Sequence, residues 1–143
     1  MNASLLVFVI LGVTVANAVV RYSVHSTTVS FFKALTECSS KGGYLAMIQS
    51  KDENDEVKKA IKKAGGTGAH WLGGTDNGIE GAWIWISRNK PVGSLDGYTN
   101  FNSGEPNNAG SNGENCLSID SNFVWNDLPC DLTLPYVCEY DLL

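Results

Sequence analysis

Apolar residues along this chain come first as a run, then at helical spacing, then as short β-type clusters. The run, Leu5 to Ala16, is too short to span a bilayer and closes on Ala16-Asn17-Ala18, a small-residue site of the A-x-A kind. Residues 1–18 therefore read as a secretory signal peptide, although the n-region carries no Lys or Arg, and the mature chain, 19–143, is one domain in size. Val19–Val24 is a short β-prone run expected at a sheet edge. Phe31 or Phe32, Leu35 and Cys38 then recur at three- and four-residue steps and predict a first helix over about residues 29–40. Ser26, Thr27 and Thr28 are its available caps, and Gly42-Gly43 its stop. Tyr44–Ile48 follows as a short buried strand. Ser50-Lys51-Asp52-Glu53 is a capping box that opens a second helix. Asp52, Glu53, Asp55 and Glu56 fill its early turns and Lys58, Lys59, Lys62 and Lys63 its later ones, both complementing the helix dipole. Val57, Ile61 and Ala64 are its buried stripe, and Gly65-Gly66 ends it. The four lysines read as a solvated helical face rather than a basic binding patch.

After residue 70 the periodicity shortens. Trp71-Leu72-Gly73-Gly74 and Trp83–Ser87 are β-type runs separated by the turn Thr75–Gly81. Cys116–Ile119, Phe123–Trp125 and Tyr136–Tyr140 complete the strands. Between them, Asn89 to Glu114 is rich in Gly, Asn, Pro and Ser and too long for a plain connection, so it reads as a functional loop. Two helices followed by an antiparallel sheet with a long excursion make the class α+β.

Composition narrows the function classes. The net charge of −5 argues against a nucleic-acid partner, which would want a basic face, and no second apolar run follows to hold the chain in a membrane. Four cysteines in a small secreted chain read as two disulfides, with three possible connectivities. A zinc site fails, because no C-x-x-C occurs and His25 and His70 lie far from the cysteines.

The chemistry concentrates in Asn102–Asp127, where Glu105, Asn107, Asn108, Glu114, Asn115, Asp120, Asn126 and Asp127 supply side-chain oxygens and no histidine intrudes. Carboxylates and amides alone suit a hard cation, and Ca²⁺ over Mg²⁺, because Ca²⁺ accepts six to eight oxygens in flexible geometry. The spacing is not that of the twelve-residue helix–loop–helix calcium loop, so the ligands must converge through the tertiary fold. Carboxylate pairs could imitate a glycosidase couple, but the adjacent amides fit a metal shell better. Neither histidine has a Ser/Asp or Cys partner nearby in sequence. No catalytic residue is assigned, and the chain reads as non-enzymatic.

Together these residues resemble a C-type lectin-like domain over residues 20–141. The resemblance rests on the early helix with Cys38, Trp71-Leu72-Gly73-Gly74, Glu105-Pro106-Asn107, Glu114-Asn115-Cys116, Trp125-Asn126-Asp127, and Cys130 followed by Cys138. It implies the pairs Cys38–Cys138 and Cys116–Cys130, a cis Glu105–Pro106 bond, and a long calcium-binding loop. It also implies a principal calcium site of Glu105, Asn107, Glu114, Asn126 and Asp127, with Glu105, Asn107, Glu114 and Asn126 also contacting carbohydrate. Glu-Pro-Asn goes in the family with mannose-type sugars bearing equatorial 3- and 4-hydroxyls: mannose, N-acetylglucosamine, fucose. The loop between Asn107 and Glu114 is a residue longer than in well-known mannose-binding members. An auxiliary calcium site would match Asp76, Glu80, Asn108, Glu114 and Asn115, but two of those positions hold Asn where Asp is usual, which weakens it. The implied function is a secreted, extracellular, calcium-dependent lectin in glycan or pathogen recognition; the competing reading is a lectin-like domain that binds a protein without sugar. No heptad or collagenous stretch indicates an oligomeric state.

Overall fold

The computed structural model describes residues 21–142; the proposed signal peptide, residues 1–18, lies outside the described residues, as do Val19 and Val20 of the first predicted strand. Strand β1 (Tyr22–Val29) runs through the residues expected to cap the first helix, so α1 (Phe31–Ser40) begins later, on Ser30, whose side chain makes no cap hydrogen bond. Threonines at 27 and 28 favour the extended chain over a cap, as β-branched residues do. Within α1, Phe31, Ala34 and Cys38 are buried while Phe32 is 43% exposed, which settles which phenylalanine faces inward. Strand β2 is only Tyr44–Leu45, because Ala46 spends its N–H on Val137 and its carbonyl on the Gly73 N–H, outside any regular ladder.

Helix α2 (Lys51–Lys63) starts as its capping box dictates: Ser50 Oγ accepts from the Glu53 N–H at 3.1 Å. Glu53 returns the bond one residue upstream, accepting from the Gln49 N–H at 2.6 Å. At the far end Gly66 N–H reaches the Ile61 carbonyl and Gly65 N–H the Lys62 carbonyl, a Schellman closure that requires the positive φ of Gly65. Its buried stripe is Asn54, Val57 and Ile61; Ala64, expected to be buried, is the exposed C-cap.

The sheet is built on β8 (Leu134–Glu139), which pairs antiparallel with β1 and β2. Strand β3 (His70–Thr75) lies parallel to β8 at Trp71 and Tyr136, so the sheet is mixed rather than wholly antiparallel. From β3 it continues to β4 (Ile84–Trp85) and to β6 (Cys116–Ile119), which pairs with β7 (Trp125–Leu128). A two-residue strand absent from the sequence reading, β5 (Lys90–Pro91), adds to β4. Gly73 is glycine because a Cβ there would sit 2.5 Å from the Leu45 carbonyl oxygen, where β2 crosses β3.

One core cluster joins α2 to the sheet through Val57, Ile61, Leu72, Trp85, Leu117 and Trp125, and a second sits under α1 with Phe31, Trp71 and Tyr136. Disulfide Cys38–Cys138 ties α1 to β8, and Cys116–Cys130 ties β6 to the segment after β7. Both were among the pairings left open by cysteine spacing.

Candidate functional site

Residues 92–115 leave the sheet after β5 and return at β6, and aromatic side chains pin the start of the excursion. Tyr98 and Phe101 meet Trp125 edge-on, at ring centroid distances of 5.7 and 5.5 Å. Trp125 is fully buried, and its indole N–H donates to Asn54 Oδ1 at 2.9 Å. The backbone bonds beside it: Trp125 N–H donates to the Asn100 carbonyl, and Asn102 N–H to the Trp125 carbonyl, each at 2.8 Å. The loop therefore begins from a fixed platform, with β7 as its floor. Asn54 was missed in the sequence; its signal was a polar residue three and seven positions before the buried Val57 and Ile61.

Asp127, next on β7 after Asn126, is fully buried. Its carboxylate accepts the Asn108 N–H at 2.7 Å and the Asn107 N–H at 3.1 and 3.2 Å. These backbone donors compensate a buried negative charge and set the path of the chain after Pro106. The Glu105–Pro106 bond is cis. Asn107 Nδ2 donates to Glu105 Oε1 at 3.1 Å, so Glu105, Asn107 and Asp127 form a connected group. Glu114 joins it through the backbone: Ala109 N–H donates to both Asn107 Oδ1 and Glu114 Oε2, at 2.9 and 3.2 Å. The exposed Asn108 side chain turns back on the loop, its Oδ1 accepting the Glu114 N–H at 2.7 Å.

Two oxygens here have no partner. Glu105 Oε2 and Asn126 Oδ1 are buried from solvent and, among the described residues, accept no hydrogen bond. Burial, reinforced by the Asp127 and Glu114 carboxylates, pushes the Glu105 carboxyl above its usual range. A buried carboxylate oxygen facing other carboxylates is costly unless a donor or a cation meets it. Among the described residues no three His, Cys, Asp or Glu side chains gather as a metal-ligating group by themselves. The carboxylates are interleaved with amides, so a cation shell here needs Asn107 and Asn126 as well.

The residues of the auxiliary set sit beside this group. Asp76 is buried and accepts the Gly81 N–H at 2.8 Å. Turned so that its nitrogen faces the carboxylates, Asn115 donates to Asp76 Oδ1 at 3.1 Å and to Glu80 Oε2 at 3.3 Å. Burial first, then Asp76 and Asp127, raises the Glu80 carboxyl. Asn108 Oδ1 accepts the Glu114 N–H, and among the described residues no hydrogen bond links it to Asp76 or Glu80.

No histidine lies in the loop, residues 92–115. His25 stacks on Tyr136 at 4.8 Å and contacts Ser23 Oγ, and His70 is buried with Nδ1 on the Gly68 carbonyl at 3.1 Å. Among the described residues no helix is long and apolar enough to cross a membrane.

Comparison with known proteins gives the site a family context. A family model, the Lectin C-type domain, matches residues 27–140. Perlucin of Haliotis laevigata is 34% identical over 113 residues, covering 77% of this chain and 69% of that protein. The hemolymph lipopolysaccharide-binding protein of Periplaneta americana is 37% identical over 128 residues, covering 85% of this chain and 49% of that protein, so the chain spans about half of that relative's length. The bovine carbohydrate-recognition domain of CD23, crystallised in the presence of a GlcNAc2Man3 oligosaccharide, is 32% identical with a TM-score of 0.74, covering 85% of this chain and 88% of that one.

Proposed function

The chain belongs to the C-type lectin domain family and, like its lectin homologues, is a non-enzymatic binding domain, and on that premise we propose that it is a secreted, extracellular lectin that binds mannose-type sugars through one calcium ion. The observation that carries this reading is the pair of unpartnered buried oxygens, Glu105 Oε2 and Asn126 Oδ1. Glu105, Asn107, Glu114, Asn126 and Asp127 would hold the ion: three carboxylates and two amides, an oxygen-only donor set that suits calcium. Bound there, calcium supplies open coordination positions for two vicinal sugar hydroxyls.

The chain's own residues do the rest. Asp127 holds the backbone of Asn107 and Asn108, and so fixes where the Asn107 side chain can reach. Glu105 and Glu114 are acceptors for sugar hydroxyl protons, and Asn107 and Asn126 are amide donors to sugar oxygens. The Glu105-Pro106-Asn107 order puts an acceptor and a donor on the two sides of the site, the pattern that favours equatorial 3- and 4-hydroxyls. The bovine relative crystallised with a mannose-containing oligosaccharide supports this sugar class. One relative's name, the hemolymph lipopolysaccharide-binding protein, supports a role in body fluid toward microbial glycans. We assign one ion rather than two, because the Asn115 amide can satisfy Asp76 and Glu80 by itself.

A glycan array run with and without calcium tests the reading. Mannose, N-acetylglucosamine and fucose ligands should bind only with calcium, and retention on mannose resin that survives a chelator would overturn it. Glu105→Gln with Asn107→Asp should move preference toward galactose; unchanged specificity would reject the assigned roles. Calcium titration by calorimetry should give one site per chain.

A further inference from the structure

Where α2 packs beside the β6–β7 turn, two of its four late lysines meet an aromatic ring. Lys58, Lys59, Lys62 and Lys63 sit within six residues of a chain that has 10 Lys+Arg and a net charge of −5. The sequence makes them a solvated helical face, but the fold adds a ring it could not place. Lys58 Nζ lies 5.1 Å and Lys62 Nζ 5.4 Å from the centre of the Phe123 ring. Like charges at an i,i+4 spacing repel, yet these two are drawn to one ring, and among the described residues neither forms an ion pair. Asp55, three residues before Lys58, is held by Lys51 at 2.7 Å. Asp120, on the turn itself, spends Oδ1 on the N–H groups of Asn122 and Val124. Beside the ring opens a groove of about 310 Å³ walled by Ile61, Lys62, Thr67, Ser121 and Phe123, with both hydroxyl side chains exposed.

We propose that this face is a second, calcium-independent site that binds a sulfated polysaccharide. The two ammonium groups suit sulfate groups spaced along a sugar chain, and the Thr67 and Ser121 hydroxyls suit the sugar oxygens between them. Nucleic acid fits less well: a duplex carries a charge about every 1.7 Å, which an acidic chain repels beyond this small patch. A lipid surface fits less well too, since none of the exposed large hydrophobics, Phe32, Ile79, Leu95, Leu132 and Leu142, lies on α2 or the turn.

The test is binding to heparin at low ionic strength with a calcium chelator present, so that its outcome is independent of the mannose-type site. The wild-type chain should bind and should release as salt rises and the Debye length shortens. Lys58→Gln with Lys62→Gln should weaken binding about tenfold, as the loss of two exposed ion pairs predicts. Lys90→Gln, an exposed lysine on β5, should leave binding unchanged. Circular dichroism of the double variant would establish that α2 persists. Three results would overturn the proposal: no heparin binding by the wild type, equal binding by the double variant, or tighter binding to an oligonucleotide of equal charge than to heparin.

Discussion

Trp71, Leu72, Trp85 and Leu117 are sealed inside the sheet, whereas from Asn102 to Asn112 every side chain is exposed except the half-buried Glu105. The two regions also differ in what holds them. The body is held by apolar packing across β3, β6, β7 and β8 and by the Cys38–Cys138 bond. The loop tip is held by side-chain oxygens accepting backbone N–H groups: Asp127 from Asn107 and Asn108, Asn107 and Glu114 from Ala109, Asn108 from Glu114. Hydrophobic burial is non-directional and can tolerate volume-conserving change. A carboxylate shared by two backbone amides is directional, and a lost partner leaves a buried group unpaired. The body can therefore vary in sequence while the loop's oxygens stay where a ligand would need them.

The largest expected effect separates the staples of the two regions. Cys38 and Cys138 close a sequence separation of 100 residues, and Cys116 and Cys130 one of 14. On the chain-entropy model, Cys38→Ser with Cys138→Ser should cost about 4–5 kcal/mol, and Cys116→Ser with Cys130→Ser about 3 kcal/mol. Denaturant unfolding of the two double variants measures both. A smaller loss for the long closure would mean that native packing, rather than unfolded-chain entropy, sets their contribution.

Next in size is the anchor between the regions. Asp127→Asn keeps the shape but turns an N–H₂ toward the donors of Asn107 and Asn108. It should cost about 1–3 kcal/mol, the loss of charged hydrogen bonds at a buried site. Because the aromatic floor of Trp125, Tyr98 and Phe101 is untouched, hydrogen exchange should quicken at Asn107, Asn108 and Ala109 more than at Leu117 or Val137. Uniform quickening would show that the tip and the body open together.

The same contrast explains what could be read from the chain beforehand. Helix α2 announced itself through Ser50, Glu53 and Gly65-Gly66, because caps act within a few residues and leave a local signature. The strands around Trp71 and Cys116 were legible from apolar clustering, but β5 was not: Lys90-Pro91 has no strand character and pairs only because β4 presents an edge. The start of α1 went astray because the pairing of β1 with β8, a contact across more than a hundred residues, extends the chain through Thr28. At the site, the ligand-type residues could be named from their oxygens. What could not be read is that Asn108 turns back to the Glu114 N–H while Asn107 faces Glu105, since adjacent asparagines look alike until the backbone is placed. Nor could the burial of Asn54, which supports the loop through Trp125 and through the Phe123 carbonyl that Asn100 also bonds.

The smallest effect is in the body, and it is a dependence on pH. His70 is buried on β3, and that burial lowers its pKa from the ordinary 6.5, with the Gly68 carbonyl partly opposing the shift. The unfolded chain therefore takes up a proton that the folded chain resists. Stability from this group is fully present above pH 6.5 and falls as the pH drops through the unfolded value, levelling once the folded imidazole itself protonates. His25 shifts in the same direction, by burial and then by Lys41, but it is only partly buried on β1. His70→Gln should flatten the stability profile just below pH 6.5 more than His25→Gln does, by denaturant unfolding across that range. With the calcium chelated throughout, no metal-linked contribution enters, and the raised Glu105 and Glu80 carboxyls act with the opposite sign, so a slope that survives His70→Gln unchanged would place the pH sensitivity outside His70.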